Sequence, residues 1–159
     1  MRLFYQWQKQ ERSNWCWAAV ASSVDQYFAV PPQYGQCDIA SGCLGFACCA
    51  PAPTAPCNIP FTLQTALGFA GHFDRFAVPP TPDDVRDEIQ LNQRPLCARI
   101  QWSEGGGHFV TIFGYDEDPL LGLRYWVADP ITGESLVSEE DFLFNYQGSG
   151  FCTDSFYVQ

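Results

Sequence analysis

The hydrophobic spacing changes period once along the chain, at Pro95. Before it, apolar residues recur at helical intervals. After it, they fall into short strand-like runs broken by Gly-, Asp- and Pro-rich turns. Leu96–Trp102, Phe109–Tyr115 and Arg124–Ala128 are such runs, and Ser155–Val158 is expected to close their sheet. Ser138, ahead of Glu139, Glu140 and Asp141, opens a short helix. Helices first and strands second, with no β-α-β alternation, give an α+β layout. Two such lobes, about 1–93 helical and about 94–159 β, leave a groove between them, where ligands tend to bind. No internal repeat and no Gly/Ser linker divides the 159 residues, so they read as one domain.

Within the helical part, Asn14 is placed to cap a first helix. Its inward face reads Cys16, Val20, Val24 and Tyr27 or Phe28, and it ends before Pro31-Pro32. A turn-rich stretch then runs to about Pro60, with Pro51, Pro53 and Pro56 blocking regular structure. Thr62 to about Ala70 reads as a second helix. A third is marked by Thr81 as N-cap, Pro82 at the first helical position, and Asp83 and Asp84 in the first turn.

Charge narrows the function. The net charge is −10, with one lysine and seven arginines, which excludes the basic face that nucleic acid requires. No apolar run reaches the roughly 20 residues that span a bilayer, so no membrane insertion is expected. Met1–Asn14 has neither the apolar region nor the cleavage site of a secretory signal, which leaves a cytoplasmic protein or one delivered by a secretion system. The acidic runs Asp116-Glu117-Asp118 and Glu139-Glu140-Asp141 read as a solvated face, and one that favours basic or neutral polypeptide partners.

Eight cysteines in so short a chain point to two uses of sulfur. Cys37, Cys43, Cys48, Cys49 and Cys57 crowd the proline-rich stretch, where disulfides are the leading reading and reduced buried thiols the second. Zinc comes last, because no paired C-x2-C spacing and no nearby histidine is present. Pairing cannot be read from spacing. Cys97, inside a strand pattern, reads as core.

Cys16 is different. It falls in the first turn of the first helix, where unpaired N–H groups and the helix dipole favour a thiolate, the nucleophilic form. Gln10, six positions upstream, can donate an amide N–H to a developing oxyanion beside the Cys16 backbone N–H. The base must be a histidine. His108 follows Gly105-Gly106-Gly107 and opens an apolar strand, whereas His72 lies at a helix end and reads as a surface or C-capping residue. Asp129, ending the neighbouring strand before Pro130, is the group to orient His108. It also reads as a turn aspartate, and Asp116 is the weaker alternative.

The segment Gln10-Glu11-Arg12-Ser13-Asn14-Trp15-Cys16-Trp17-Ala18 resembles the nucleophile segment of papain-like cysteine peptidases. Gly106-Gly107-His108-Phe109-Val110, Gly114-Tyr115-Asp116, Val127-Ala128-Asp129-Pro130 and Tyr146-Gln147-Gly148-Ser149-Gly150 extend the resemblance over nearly the whole chain. They point to the small bacterial members related to bacteriocin-leader peptidases and to effector proteases of plant pathogens. Cys152 departs from the pattern, standing where an aromatic is expected.

The resemblance implies a papain-like fold in one catalytic domain over residues 1–159, with a helical lobe carrying the nucleophile against an antiparallel sheet. It implies peptide-bond hydrolysis by Cys16, His108 and Asp129, with Gln10 and the Cys16 N–H as oxyanion donors, and neither cofactor nor metal. Trp15, Trp17 and Trp102 are expected to line the groove, with Gly106 and Gly107 letting a polypeptide substrate approach closely. Two other functions share the sequence. The same triad could run glutamine deamidation or transglutamination, or the chain could be a lapsed, cysteine-rich peptide-binding module. With the nucleophile arriving by residue 16, control is expected from a cognate inhibitor or immunity protein, with delivery as a toxin or effector.

Overall fold

The computed structural model describes residues 1–52 and 56–159; Pro53, one of the three prolines expected to break the cysteine-rich stretch, lies outside them. Helices come first: α1 (Cys16–Phe28), α2 (Gln36–Leu44) and α3 (Leu63–Ala70). β1 (Phe73–Ala77) follows, then α4 (Pro82–Arg86), which runs into a wider π-helical turn over Asp87–Asn92. The rest is β2 (Leu96–Trp102), β3 (Gly107–Asp118), β4 (Gly122–Asp129), β5 (Gly133–Ser138), α5 (Glu139–Phe144) and β6 (Gly150–Val158). None of the helices among the described residues is long and apolar enough to cross a membrane.

The six strands form one antiparallel sheet in the order β1-β6-β2-β3-β4-β5. Side chains alternate across it with period two. Leu96, Ala98 and Ile100 of β2 join Val110 and Ile112 of β3 in a core shared with Val85, Ile89 and Phe142. Cys97, Phe109 and Phe156 face a second core built with Val20 and Val24 of α1 and Leu63 and Leu67 of α3.

Several expectations need correction. Ser155–Val158 does not close the sheet: β6 begins at Gly150 and lies between β1 and β2. The chain returns from α5 through a tight turn at Tyr146–Gly150 and pairs with the open side of β2, which leaves β1 as the edge. The cysteine-rich stretch contains a helix, α2, whose first turn is capped by Asp38 accepting the Gly35 N–H at 2.9 Å. Its sequence is a poor helix former on its own, and packing against α1 and α3 sustains it. β5 went unseen because Gly133–Ser138 is short and mostly polar, and its pairing with β4 makes it a strand.

Asn14 does not cap α1. Trp15 occupies the N-cap position without a capping side-chain bond, while Asn14 donates twice to Asn58: its N–H to Asn58 Oδ1 (2.9 Å) and its Nδ2 to Asn58 O (3.0 Å). α1 is buried on nearly every side from Trp17 to Asp25, as expected of a helix wedged between other helices and a sheet. Thr81 does cap α4, accepting from the Asp84 N–H at 3.2 Å while Asp84 Oδ2 accepts the Thr81 N–H at 2.8 Å.

Disulfides join Cys37 to Cys49 and Cys48 to Cys57, and Cys43 keeps a free thiol. His72 does close α3 through its backbone, its N–H donating to Leu67 O at 2.9 Å, but its side chain turns inward rather than to the surface. Its Nε2 meets the buried carboxylate of Asp25 at 3.1 Å and its Nδ1 lies 2.9 Å from the Gln159 carbonyl. Asp25 also accepts the N–H groups of Gln33 (2.6 Å) and Tyr34 (3.0 Å), pinning the loop after α1.

Candidate functional site

Where α1 begins, its first residue faces the end of the sheet that β3 opens. Cys16 and His108 share a groove of about 280 Å³, partly walled by Pro60 and Phe61. The Cys16 thiol is half-exposed, and its backbone N–H belongs to the first turn of the helix, where helix geometry gives it no intrahelical partner.

The wall of the groove is fastened to the helix start. The Trp15 indole N–H donates to Cys57 O (2.7 Å) and that of Trp17 to Ile59 O (3.0 Å), while Asn58 Nδ2 reaches Ser13 Oγ (2.9 Å). The Cys48–Cys57 disulfide holds the other end of this loop. The cysteine-rich stretch thus anchors the loop that carries Pro60 and Phe61 into the groove lining.

His108 is buried, 3% exposed, at the start of β3. Its Nε2 lies 2.9 Å from Asp129 Oδ1, at the end of the adjacent strand β4. Burial pushes the imidazole pKa down. The hydrogen bond to Asp129, the neighbouring Cys16 thiol and the Asp129 charge together outweigh it and raise the pKa from 6.5 to about 9. Burial works in the opposite direction on Asp129. Its pKa is nevertheless held below the usual value by His108 and by the N–H groups of Ile131 (2.8 Å) and Thr132 (3.2 Å).

The second carboxylate oxygen is held by residues the sequence did not single out for this purpose. Asp129 Oδ2 accepts the phenolic O–H of the wholly buried Tyr146 (3.0 Å) and Nε2 of Gln147 (3.2 Å). Gln147 sits at a left-handed φ of 48° beside Gly148 at 80°, in the turn that brings both side chains back over Asp129. Only the Tyr-Gln-Gly-Ser-Gly string signalled this turn, and nothing in it signalled contact with Asp129. Asp116 is elsewhere, in an ion pair with Arg124 at 2.6 Å.

The groove-lining expectations divide. Trp102 is partly exposed and stacks on His108, ring centroids 5.9 Å apart and planes at 23°. Gly105 and Gly106 make the β2–β3 turn at φ of 103° and 83°, a conformation that strains any other residue. Gly107 lies under the Arg99 guanidinium, and an added Cβ would stand 2.6 Å from Nη2. Trp17 does line the groove, although it is almost wholly buried and its indole N–H is held by Ile59 O. Trp15 needs correction: it is buried behind the groove, with its indole N–H turned to Cys57 O.

Gln10 also differs from expectation. Its Nε2 does not stand free beside Cys16 but donates to Arg12 O (3.0 Å) and Ser13 O (2.7 Å), and its buried Oε1 has no partner among the described residues. The loop before α1 turns back on itself, so its own carbonyls reach the amide first.

Residues 1–146 match the family described as papain-like cysteine protease AvrRpt2. Among solved structures, the chain resembles a double glycine motif protease from an AMS/PCAT transporter, solved in complex with its leader peptide. That likeness has a TM-score of 0.52 and 16% identity over 99% of this chain and 94% of that one, a match of fold. No curated protein matches.

Proposed function

The chain belongs to the papain-like cysteine protease AvrRpt2 family and is a cysteine peptidase, and we propose that Cys16 is its nucleophile, His108 its base and Asp129 the carboxylate that orients His108. The observation that carries this reading is the Asp129–His108 hydrogen bond at a groove that Cys16 and His108 line together. The thiol gives its proton to His108 and the sulfur attacks a substrate carbonyl carbon. The resulting oxyanion takes the Cys16 backbone N–H. His108 then returns the proton to the departing amine, leaving a thioester that water hydrolyses with His108 as base.

Gln10 supplies the second oxyanion donor if one of its N–H bonds, to Arg12 O or Ser13 O, is exchanged for the oxyanion. A donor of this kind is worth about 2.7–4 kcal/mol in the transition state. Trp102 shields the imidazole from water, and the backbone of Gly106 and Gly107 is open to a substrate strand. The substrate is a polypeptide, a reading supported by the leader-peptide complex of the similar double glycine motif protease. The two lobes act as one catalytic domain over residues 1–159, since the groove needs α1, the 57–61 loop and the strands β2 to β4.

Incubation of the protein with a denatured protein mixture, read by mass spectrometry of new N-termini, tests the reading. New termini that vanish in Cys16→Ala and His108→Ala are the expected result. Amide-to-acid mass shifts without new termini would replace hydrolysis by deamidation, and neither change would remove catalysis from the reading.

A further inference from the structure

We propose that Arg99 forms a subsite for a carboxylate of the substrate beside Cys16, an inference that rests on the peptidase reading above. Arg99 follows Cys97 on the helix-facing side of β2, with Phe109 its cross-strand neighbour on β3 and Asp154 on β6. Its side chain lines the groove shared by Cys16 and His108. Among the described residues it is the only Lys, Arg, Asp or Glu that does so. It also lines an adjoining cavity of about 240 Å³ whose walls include Phe61, Phe76 and Phe156.

The guanidinium is fixed but not neutralised. Nη1 donates to Thr153 Oγ1 (3.1 Å) and Nη2 to Gln101 Oε1 (2.9 Å), both neutral acceptors. Carboxylates pair with Arg2, Arg75, Arg86 and Arg124, but Arg99 has no such partner among the described residues. Asp154 is the nearest candidate by register, yet its Oδ2 accepts the Thr153 hydroxyl at 2.6 Å instead. Two bonds orient the fork without exhausting its donors.

Gly107 completes the arrangement. The planar fork lies where a Cβ would otherwise stand, at 2.6 Å from Nη2 and 2.9 Å from Cζ and Nε. The residue before His108 thus admits the cation to the groove wall. A half-buried guanidinium with neutral partners, in a chain of net charge −10, attracts one well-placed carboxylate and gives little to a uniformly acidic peptide. The ligand is an Asp or Glu side chain at a fixed position relative to the scissile bond, or the C-terminal carboxylate of a short peptide. Aromatic walls beside the cation suit its methylenes or a neighbouring apolar residue.

The test is a set of quenched-fluorescent peptides in which Glu, Gln, Phe and Lys are scanned through each position, each made with a free and an amidated C-terminus. Wild-type protein should favour Glu over Gln at one position by about ten- to a hundredfold in kcat/KM, the range of a charged hydrogen bond. A preference that follows the free C-terminus instead identifies that carboxylate as the ligand. Arg99→Gln should level the ratio and Arg99→Glu should turn it toward Lys. The ratio is the readout, so a general loss of activity in a variant does not mimic the effect.

Binding of the same peptides to Cys16→Ala by fluorescence anisotropy separates this inference from the reading beneath it. Glu-selective binding that Arg99→Gln abolishes, even with no cleavage, upholds the subsite and not the peptidase mechanism. Cleavage or binding with no carboxylate preference, or a preference that survives Arg99→Gln, overturns the subsite.

Discussion

Replacing Asp129 by Asn keeps the size of the side chain and removes the charge that sustains an imidazolium in a buried place. In the wild type, the His108 pKa stands at about 9 against an ordinary 6.5. At about 1.36 kcal/mol per pH unit, that difference corresponds to about 3 kcal/mol of folding stability. Because the folded pKa is the higher one, this contribution is complete below 6.5, declines as pH rises through about 9, and is absent above it. In Asp129→Asn only the Cys16 thiol still opposes burial, so the His108 midpoint should fall toward 6.5 or below. Ring-proton NMR titration of His108 measures the midpoint. Urea unfolding of both proteins, at about pH 6 and above about pH 9.5, measures the linkage. The stability gap between the two proteins should shrink on going to high pH by an amount of the same order. A variant midpoint still near 9, or a gap that does not change with pH, would refute the claim that Asp129 holds the charge on His108.

Three further outcomes are expected. Tyr146→Phe removes one donor to a buried carboxylate and should cost about 1.5–3 kcal/mol in urea unfolding, with a lower His108 midpoint as the sign that Asp129 has been disturbed. Cys48→Ala with Cys57→Ala opens a loop of sequence separation 9, worth about 3 kcal/mol of chain entropy; cleavage of a reporter peptide should fall further than stability alone accounts for, since Pro60 and Phe61 lose their anchor. Asp25→Ala orphans the N–H groups of Gln33 and Tyr34 and leaves His72 without its carboxylate, at about 2–4 kcal/mol by thermal unfolding, while peptide-substrate KM stays unchanged.

Much of the site was legible because it is local chemistry. Cys16 at a helix start, His108 after three glycines, and Asp129 closing a strand before proline each carry their own signal, and β3 and β4 do pair as their hydrophobic runs implied. Thr81 and Ser138 cap the helices that follow them. Where the reading failed, the cause was a competing hydrogen bond, local for Gln10 and long-range for the others. Asn14 has the chemistry of a cap, but Asn58 claims its side chain. Gln10 has the chemistry of an oxyanion donor, but the carbonyls of Arg12 and Ser13 claim its amide. Trp15 has the chemistry of a groove lining, but Cys57 O claims its indole N–H and buries it behind the groove.

From the sequence alone came the α+β class, the strands β2, β3 and β4 in their order, the helix after Ser138, and the thiol, imidazole and carboxylate singled out as candidates. Periodicity, caps and turn residues act over a few neighbouring positions, and those positions suffice for such statements. Only the tertiary structure decided that β6 lies inside the sheet, that Cys48 pairs with Cys57 to hold the groove wall, and that Tyr146 and Gln147 grip Asp129. It also set Arg99, an ordinary strand residue by sequence, in the same groove as Cys16. These outcomes depend on which distant groups reach one another first when the chain closes, and a partner 17 or 42 positions away leaves no periodic trace in the order of residues.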